Sequence, residues 1–381
     1  MRKALALLTV LIMLAVPLSG CIDLGDMMGY SEEDLVEPVH TVIDRPDTGP
    51  PSPQTDVEHH YSYQLHWTIT EVYRSYGGVM DLKINNTGDR PIHVYGFGVD
   101  WVNSTVETTR NCSVQVQPGT TEELGLLFLR APGEADSGIY QILIWMAVAD
   151  LSGEEWHDYG RTVGAHKSIP LKACAEERNY TVSHNPIEYY NRINGKVDYQ
   201  ASEAVADRIR SDVPMDRSVN QIAAAFQWVR DNVEYKSDAY GDYWQSASET
   251  LERGTGDCED QAILLTSIYG ALGLQGRVNI IDQHAFASVY VGNDSGSMSD
   301  VEETLESVYW TDLPMSYLQD DYGYWLITDT TGFIYPGGLP AKSSPLQNGT
   351  QDQWVFDDTD SLRTVDATGE RQGGSFWPFV L

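Results

Sequence analysis

The chain of 381 residues carries 24 Lys and Arg against 56 Asp and Glu, a formal net charge of −32. Such a field repels nucleic acid and anionic headgroups, so neither is expected as a partner, and acidity spread over solvated faces is the simplest reading. A hydrophobic fraction of 41% with 10 Trp and 22 Tyr can supply more than one core, and the length suits more than one domain.

Residues 1–20 read as a lipoprotein-type signal peptide. Arg2 and Lys3 precede an apolar run from Ala4 to Pro17, which closes on Leu18, Ser19, Gly20 and Cys21. That ending resembles a lipobox, in which Cys21 is lipidated and starts the mature chain. The run is shorter than the ~20 residues of a spanning helix. The expectation is therefore an exported protein, held by its N-terminal lipid on the outer face of the cytoplasmic membrane. Residues 21–56 are acidic and Pro-rich with no sustained periodicity, the composition of a tether.

Residues 57–170 consist of short runs rich in β-branched and aromatic residues, separated by turn signals such as NNTGD, QPGTT and PGEADSG. Alternation puts Met80, Leu82 and Ile84 on one face of a strand and Asp81 and Lys83 on the other. This spacing predicts a β-sandwich of immunoglobulin-like architecture, with no catalytic constellation in it. Cysteine arithmetic adds a bridge. With Cys21 lipidated and Cys258 a free thiol, Cys112 and Cys174 remain to pair in an oxidising compartment.

Residues 171–198 read as a connector. The pattern then becomes helical over 199–340, with Val205, Ile209 and Val213 on one stripe and Ile222, Ala225, Phe226, Val229 and Val233 on another. A third helix begins near Cys258, and strands follow at 276–282, 284–292 and 324–332, an α+β arrangement. Residues 293–323 are acidic and read as an irregular insertion over the sheet. Residues 341–381, rich in Gly, Pro and Asp, read as a C-terminal tail.

The chemistry concentrates in GTGDCEDQA, residues 254–262. A loop followed by a helix places Cys258 at a helix N-terminus, where the dipole and unpaired N–H groups favour a negative group. Asp257, Glu259 and Asp260 oppose that effect, and each influence is worth about 1 kcal/mol. A nucleophilic cysteine therefore needs a base, and His284 is the only histidine after Cys258. His284 opens the strand HAFASVYV, and Asp329 follows the run WLIT. If those strands are adjacent and antiparallel, Asp329 can accept a hydrogen bond from one ring nitrogen while the other faces the sulfur. Asp282 and Asp312 are its rivals. Asp257, Glu259 and Asp260 are most simply first-turn residues; as hard oxygen ligands they would also suit calcium, although their spacing is not that of a known calcium loop.

The blocks GTGDCEDQAILLTSIYGALGLQGRVNI, HAFASVYV and YWLITDTTG closely resemble the transglutaminase-like (papain-like) superfamily, especially its bacterial and archaeal cysteine-protease-like branch. The resemblance covers roughly residues 197–340. It implies an α+β domain with Cys258 as nucleophile, His284 as base and Asp329 as orienter, acting on amide carbonyls through a thioester without a required cofactor. The family's usual Asp-Pro-Thr is DTT here. The resemblance also implies an upstream aromatic donor to the oxyanion hole, for which Tyr235 and Trp244 both stand open, beside the Cys258 backbone N–H. The function expected is a surface-anchored thiol hydrolase or acyltransferase on peptide amides, foremost a cysteine protease, with a protein or peptide substrate at the cell surface. The alternative is a non-catalytic surface binding or assembly protein that retains the fold.

Overall fold

Seven strands in chain order build the first module: β1 (Tyr63–Ile69), β2 (Gly78–Asn86), β3 (Ile92–Trp101), β4 (Glu107–Val116), β5 (Thr121–Leu129), β6 (Ser137–Ala149) and β7 (Trp156–Pro170). The computed structural model describes residues 38–369 apart from 39, 47–48, 134 and 239–240. The expected signal segment, the expected lipidation site Cys21, most of the expected tether and the closing SFWPFVL lie outside the described residues. Among the described residues no helix is long and apolar enough to cross a membrane.

Two antiparallel sheets, ordered β1-β2-β5 and β4-β3-β6-β7, enclose one core. Met80, Leu82 and Ile84 are fully buried in it against Phe97, Tyr140 and Ile142, while Lys83 on the opposite face is exposed. Burying each such aliphatic side chain stabilises the module by about 1.5–3 kcal/mol.

The expected bridge between Cys112 and Cys174 is not formed; both are free thiols. Cys112 points into the core between the two sheets, 3.5 Å from the Val94 carbonyl. Cys174 packs against a different core, 3.2 Å from the Arg74 carbonyl. Two side chains committed to separate cores cannot meet. Burial pushes the Cys112 thiol up to about 12 and raises Cys174 as well. Unfolding in iodoacetamide without reductant is therefore expected to carbamidomethylate both residues. In the native protein Cys112 should stay unlabelled, as peptide mass spectrometry can check.

The expected connector holds β8 (Thr181–His184) and α1 (Ile187–Asn194). Then come α2 (Tyr199–Asp212), α3 (Val219–Asn232), β9 (Glu234–Tyr235), α4 (Ala247–Arg253), β10 (Thr255–Gly256) and α5 (Cys258–Ala271). β11 (Gly276–Ile281) and β12 (His284–Gly292) form a hairpin, followed by α6 (Ser295–Tyr309), β13 (Tyr317–Asp320) and β14 (Gly323–Thr328). The chain closes with β15 (Ser343–Pro345), β16 (Trp354–Phe356) and β17 (Ser361–Asp366).

Two expectations are corrected here. The stretch read as an irregular insertion contains α6, capped by Asp294 accepting from the Ser297 N–H and buried through Met298, Val301 and Leu305. Its narrow apolar stripe is diluted by acidic residues on the solvent face. The stretch read as a tail supplies β17, which lies inside the six-stranded sheet β13-β14-β12-β11-β17-β8. β17 pairs antiparallel with β11 and parallel with β8.

Helix α5 is buried on nearly every face, among the other helices and the β11–β12 hairpin. Beyond its polar first turn it is apolar on most faces, and the Thr266 and Ser267 hydroxyls donate back to the Ala262 and Ile263 carbonyls. The two modules are not merely linked. Tyr73, Tyr76, Val79, Leu126 and Phe128 of the first module belong to the same buried cluster as Phe226, Leu265 and Tyr335 of the second.

Candidate active site

Cys258 is the first residue of α5, and Asp257 is the N-cap but makes no side-chain capping bond. Gly256 has to be glycine: a Cβ there would lie 2.7 Å from the Asp260 Cβ, so only a bare backbone lets the loop turn into the helix. The Cys258 S–H donates to Glu259 Oε2 at 3.1 Å. Burial, and then the Glu259 carboxylate, push this thiol above its ordinary range, while the Ala285 backbone N–H draws it back down. The resting sulfur is therefore a neutral thiol.

His284 pairs with Ile281 at the closed end of the β11–β12 hairpin, and Gln283 before it takes a left-handed backbone, φ 60°. The neighbouring strand β14 runs antiparallel to β12 and delivers Asp329 just past its end. His284 Nε2 donates to Asp329 Oδ2 at 2.7 Å, with both groups buried. Asp329 takes three further bonds. Oδ2 accepts from the Ala341 N–H at 2.8 Å, and Oδ1 accepts from the Thr331 N–H and hydroxyl at 2.9 and 2.8 Å. Burial would raise this carboxyl, but the His284 ring and these donors hold it below the usual range. With Nε2 engaged, Nδ1 is the ring nitrogen left to accept a proton.

Cys258 and His284 line one cavity of about 510 Å³ together with Arg230, Tyr235, Gln261 and Lys342. A second cavity of about 410 Å³ also includes Cys258 and His284, and extends to Tyr189, Arg192 and Trp244. Residues 203–326, which include Cys258 and His284, match the model of the transglutaminase-like superfamily. This stretch is a transglutaminase-like domain. A protein of Cytophaga hutchinsonii described as a presumed cysteine protease is similar at 12% identity, covering 74% of this chain and 82% of its own, with a TM-score of 0.25. Red sea bream transglutaminase is similar at 11% identity over 76% of this chain and 51% of its own, TM-score 0.22. An Archaeoglobus fulgidus protein is similar at 14% identity over 29% of this chain and 96% of its own, TM-score 0.18. No curated protein matches the chain.

Within the transglutaminase-like domain the two aromatic candidates differ. The Trp244 indole N–H is held by Asp242 Oδ1 at 2.8 Å, and Arg192 stacks on the ring at 3.7 Å. Tyr235 is 55% exposed, lines both cavities, and its hydroxyl has no hydrogen-bond partner among the described residues. Of the rival carboxylates, Asp282 sits in the exposed hairpin turn and Asp312 pairs with Arg45 at 4.0 Å on the surface.

The acidic residues around Cys258 divide by role. Asp260 serves the fold: its Oδ1 accepts from the Gln245 N–H at 2.7 Å and Oδ2 from Gln245 Nε2 at 2.5 Å. Burial raises it to about 6. Asp257 and Glu259 are joined instead by Asp238, and one oxygen of each of these three lies within 4.8 Å of the others. Asp257 Oδ1 is buried with no partner, and burial together with Glu259 lifts the carboxyl to about 7. Asp238 was not legible in the sequence, since it stands in an irregular stretch with no spacing pattern.

Proposed function

We propose that this chain is a thiol hydrolase or acyltransferase acting on peptide amides at the cell surface, and foremost a cysteine protease. The carrying observation is the buried 2.7 Å bond from His284 to Asp329 beside the cavity that Cys258 shares. In this reading Asp329 fixes the imidazole so that Nδ1 takes the Cys258 proton. The thiolate adds to the amide carbonyl, and the oxyanion is held by the Cys258 N–H and the Tyr235 hydroxyl. Collapse breaks the C–N bond, His284 returns the proton to the leaving amine, and water or a second amine resolves the thioester. The surface setting rests on the signal segment, the lipid at Cys21 and the tether. The first module is read as the immunoglobulin-like sandwich.

One observation favours the non-catalytic alternative: burial and Glu259 hold the Cys258 thiol neutral. Iodoacetamide labelling of Cys258 between pH 4 and 10 separates the two. An activated pair labels well below the ordinary thiol range of about pH 8.5, and His284→Ala removes that advantage. Labelling that rises only near the free-thiol range in both proteins means a binding module.

We also propose a hard divalent cation, calcium by ligand type, on Asp238, Asp257 and Glu259 rather than on Asp260. Asp257 Oδ1, buried with no partner, fits such an ion, which would neutralise the charge beside Cys258. Without it, Asp257 is raised in the fold, so the fold loses stability as pH climbs from about 4 to 7 and the group ionises. Asp257→Asn is therefore expected to stabilise the metal-free protein by about 1–2 kcal/mol at pH 8 and by nothing at pH 3.5. Millimolar calcium should raise the melting temperature of the wild type and not of the variant. Equal calcium shifts in both would exclude the site.

A further inference from the structure

We infer that the first module walls the substrate cleft, and that the substrate is an extended, unfolded polypeptide segment running from the Cys258 cavity to strand β1. The inference rests on the thiol-enzyme reading above and gives it a substrate class.

A cavity of about 810 Å³ lies between the modules. Thr68, Glu71 and Lys172 line it from the first module; Asp282, Phe333 and Asp357 line it from the second. Its size is that of a ligand site rather than a packing void. It is also continuous with the Cys258 cavity, because Gln283, Thr331, Ala341 and Lys342 line both. Since the modules share one buried cluster, the cleft is a fixed feature and not a gap between independently moving domains.

The floor of this cavity is built from the loop that holds Asp329. Ala341 and Thr331 donate to that carboxylate, and Gly332 allows the loop to close. A Cβ on Gly332 would lie 2.6 Å from the Leu339 carbonyl oxygen and 3.0 Å from Asp329 Oδ2. At the passage between the cavities, Gln283 and Lys342 hold left-handed backbones at φ 60° and 62°. Such conformations are unfavourable for these residue types and persist where the surrounding structure fixes them, as functional sites do.

The chemistry of the walls points to main-chain recognition. Glu71 pairs with Lys172, Asp358 with Arg178 at 3.6 Å, and Asp357 accepts from the Ser344 hydroxyl at 2.6 Å. Most of the charge is thus satisfied within the protein. β1 is the outer strand of its sheet, so one side of its backbone has no strand partner among the described residues, and its end at Thr68–Ile69 lines the cavity. An open strand edge recognises an extended chain by backbone hydrogen bonds. A cleft walled on both sides admits a single extended chain and excludes a folded surface.

The test compares β-casein, an unfolded polypeptide, with p-nitrophenyl acetate, which needs only the thiol. Thr68 is exposed, so Thr68→Trp fills the cleft without disturbing a core. This variant is expected to lower the ratio of casein to ester turnover at least tenfold. Casein binding to Cys258→Ala protein, followed by fluorescence anisotropy, should weaken at least tenfold when Thr68→Trp is added. Gln64→Trp, exposed on the same strand and outside the cavity, should leave both rates alone. Casein handled equally by wild type and Thr68→Trp overturns the inference. Casein that neither binds nor turns over while the ester is hydrolysed also overturns it, and leaves the thiol-enzyme reading standing. Absence of thiol-dependent ester hydrolysis sinks that reading instead, and the anisotropy measurement still decides whether β1 walls a peptide cleft.

Discussion

Asp329→Asn is expected to lower turnover by roughly 10³–10⁴-fold while leaving most of the fold intact, the scale seen when a triad carboxylate loses its charge. The geometry gives the reason. Both Asp329 oxygens accept: Oδ2 from His284 and Ala341, Oδ1 from Thr331 twice. An asparagine amide must turn its NH₂ toward one of these donor pairs. Turned toward Oδ2, it meets the Ala341 N–H and forces His284 to accept at Nε2, which moves the ring proton to Nδ1 and removes the base. Turned toward Oδ1, it meets the Thr331 N–H and leaves a buried donor unsatisfied at about 1–3 kcal/mol. Either way the imidazolium formed during attack loses its counter-charge. The pH dependence separates the two costs. Asp329 is held below its ordinary range, so its contribution to stability is complete above the unfolded value near 3.8 and is lost as pH falls through the folded one. Wild type should therefore lose stability on acidification below pH 4 more steeply than the variant, as urea melts at pH 3 and 6 can measure. A variant with wild-type kcat would remove Asp329 from the mechanism.

The site was more legible than the fold around it. His284 and Asp329 each sit beside a strongly apolar strand, and two adjacent antiparallel strands can meet only in a few registers, so local pattern carried the geometry. Asp238 had no such support, because its approach to Asp257 depends on the irregular path of the chain just after β9, which no local pattern encodes. β17 was hidden for another reason. Its only apolar residues, Leu362 and Val365, face opposite sides of the sheet and enter different cores, so no stripe marks it, and its partners β11 and β8 lie about 90 and 180 residues upstream by the pairings Arg277 to Asp366 and Ser361 to Thr181. Helix α6 was obscured by composition, since the period of its buried residues is visible only once acidic positions are assigned to solvent. The pairing of Cys112 and Cys174 failed because counting cysteines ignores which core each one enters.

Arg277→Ala is expected to destabilise the second module by about 3–5 kcal/mol, the cost of breaking a buried ion pair from one side. Arg277 is 3% exposed on β11. Its Nη1 donates to Asp320 Oδ2 and its Nε to Asp366 Oδ1, each at 2.5 Å, and its guanidinium lies 3.4 Å from the Trp325 ring centroid. One side chain therefore ties β13, β14 and β17 to the strand that leads into the His284 hairpin. Removal leaves Asp320 and Asp366 facing each other's field with no cation. Burial opposes the charge on Asp320, and Arg277 overcomes it and lowers the carboxyl, so this stabilisation is present above pH 4 and fades below it. Arg277→Lys should recover only part of the loss, because an ammonium cannot bond both carboxylates in a fork or stack flat on Trp325. Arg277→Met with Asp320→Asn and Asp366→Asn should recover more, since it removes the stranded charges. At roughly 2–4 °C per kcal/mol for a chain of this size, the alanine variant should melt about 10 °C lower at pH 7. Hydrogen exchange of residues 361–366 should speed up in it before that of β12. A loss under 1 kcal/mol, or equal losses for the alanine and triple variants, would mean that strand pairing alone holds β17 in the sheet. The His284 strand would then owe its position to α5 packing and not to this buried network.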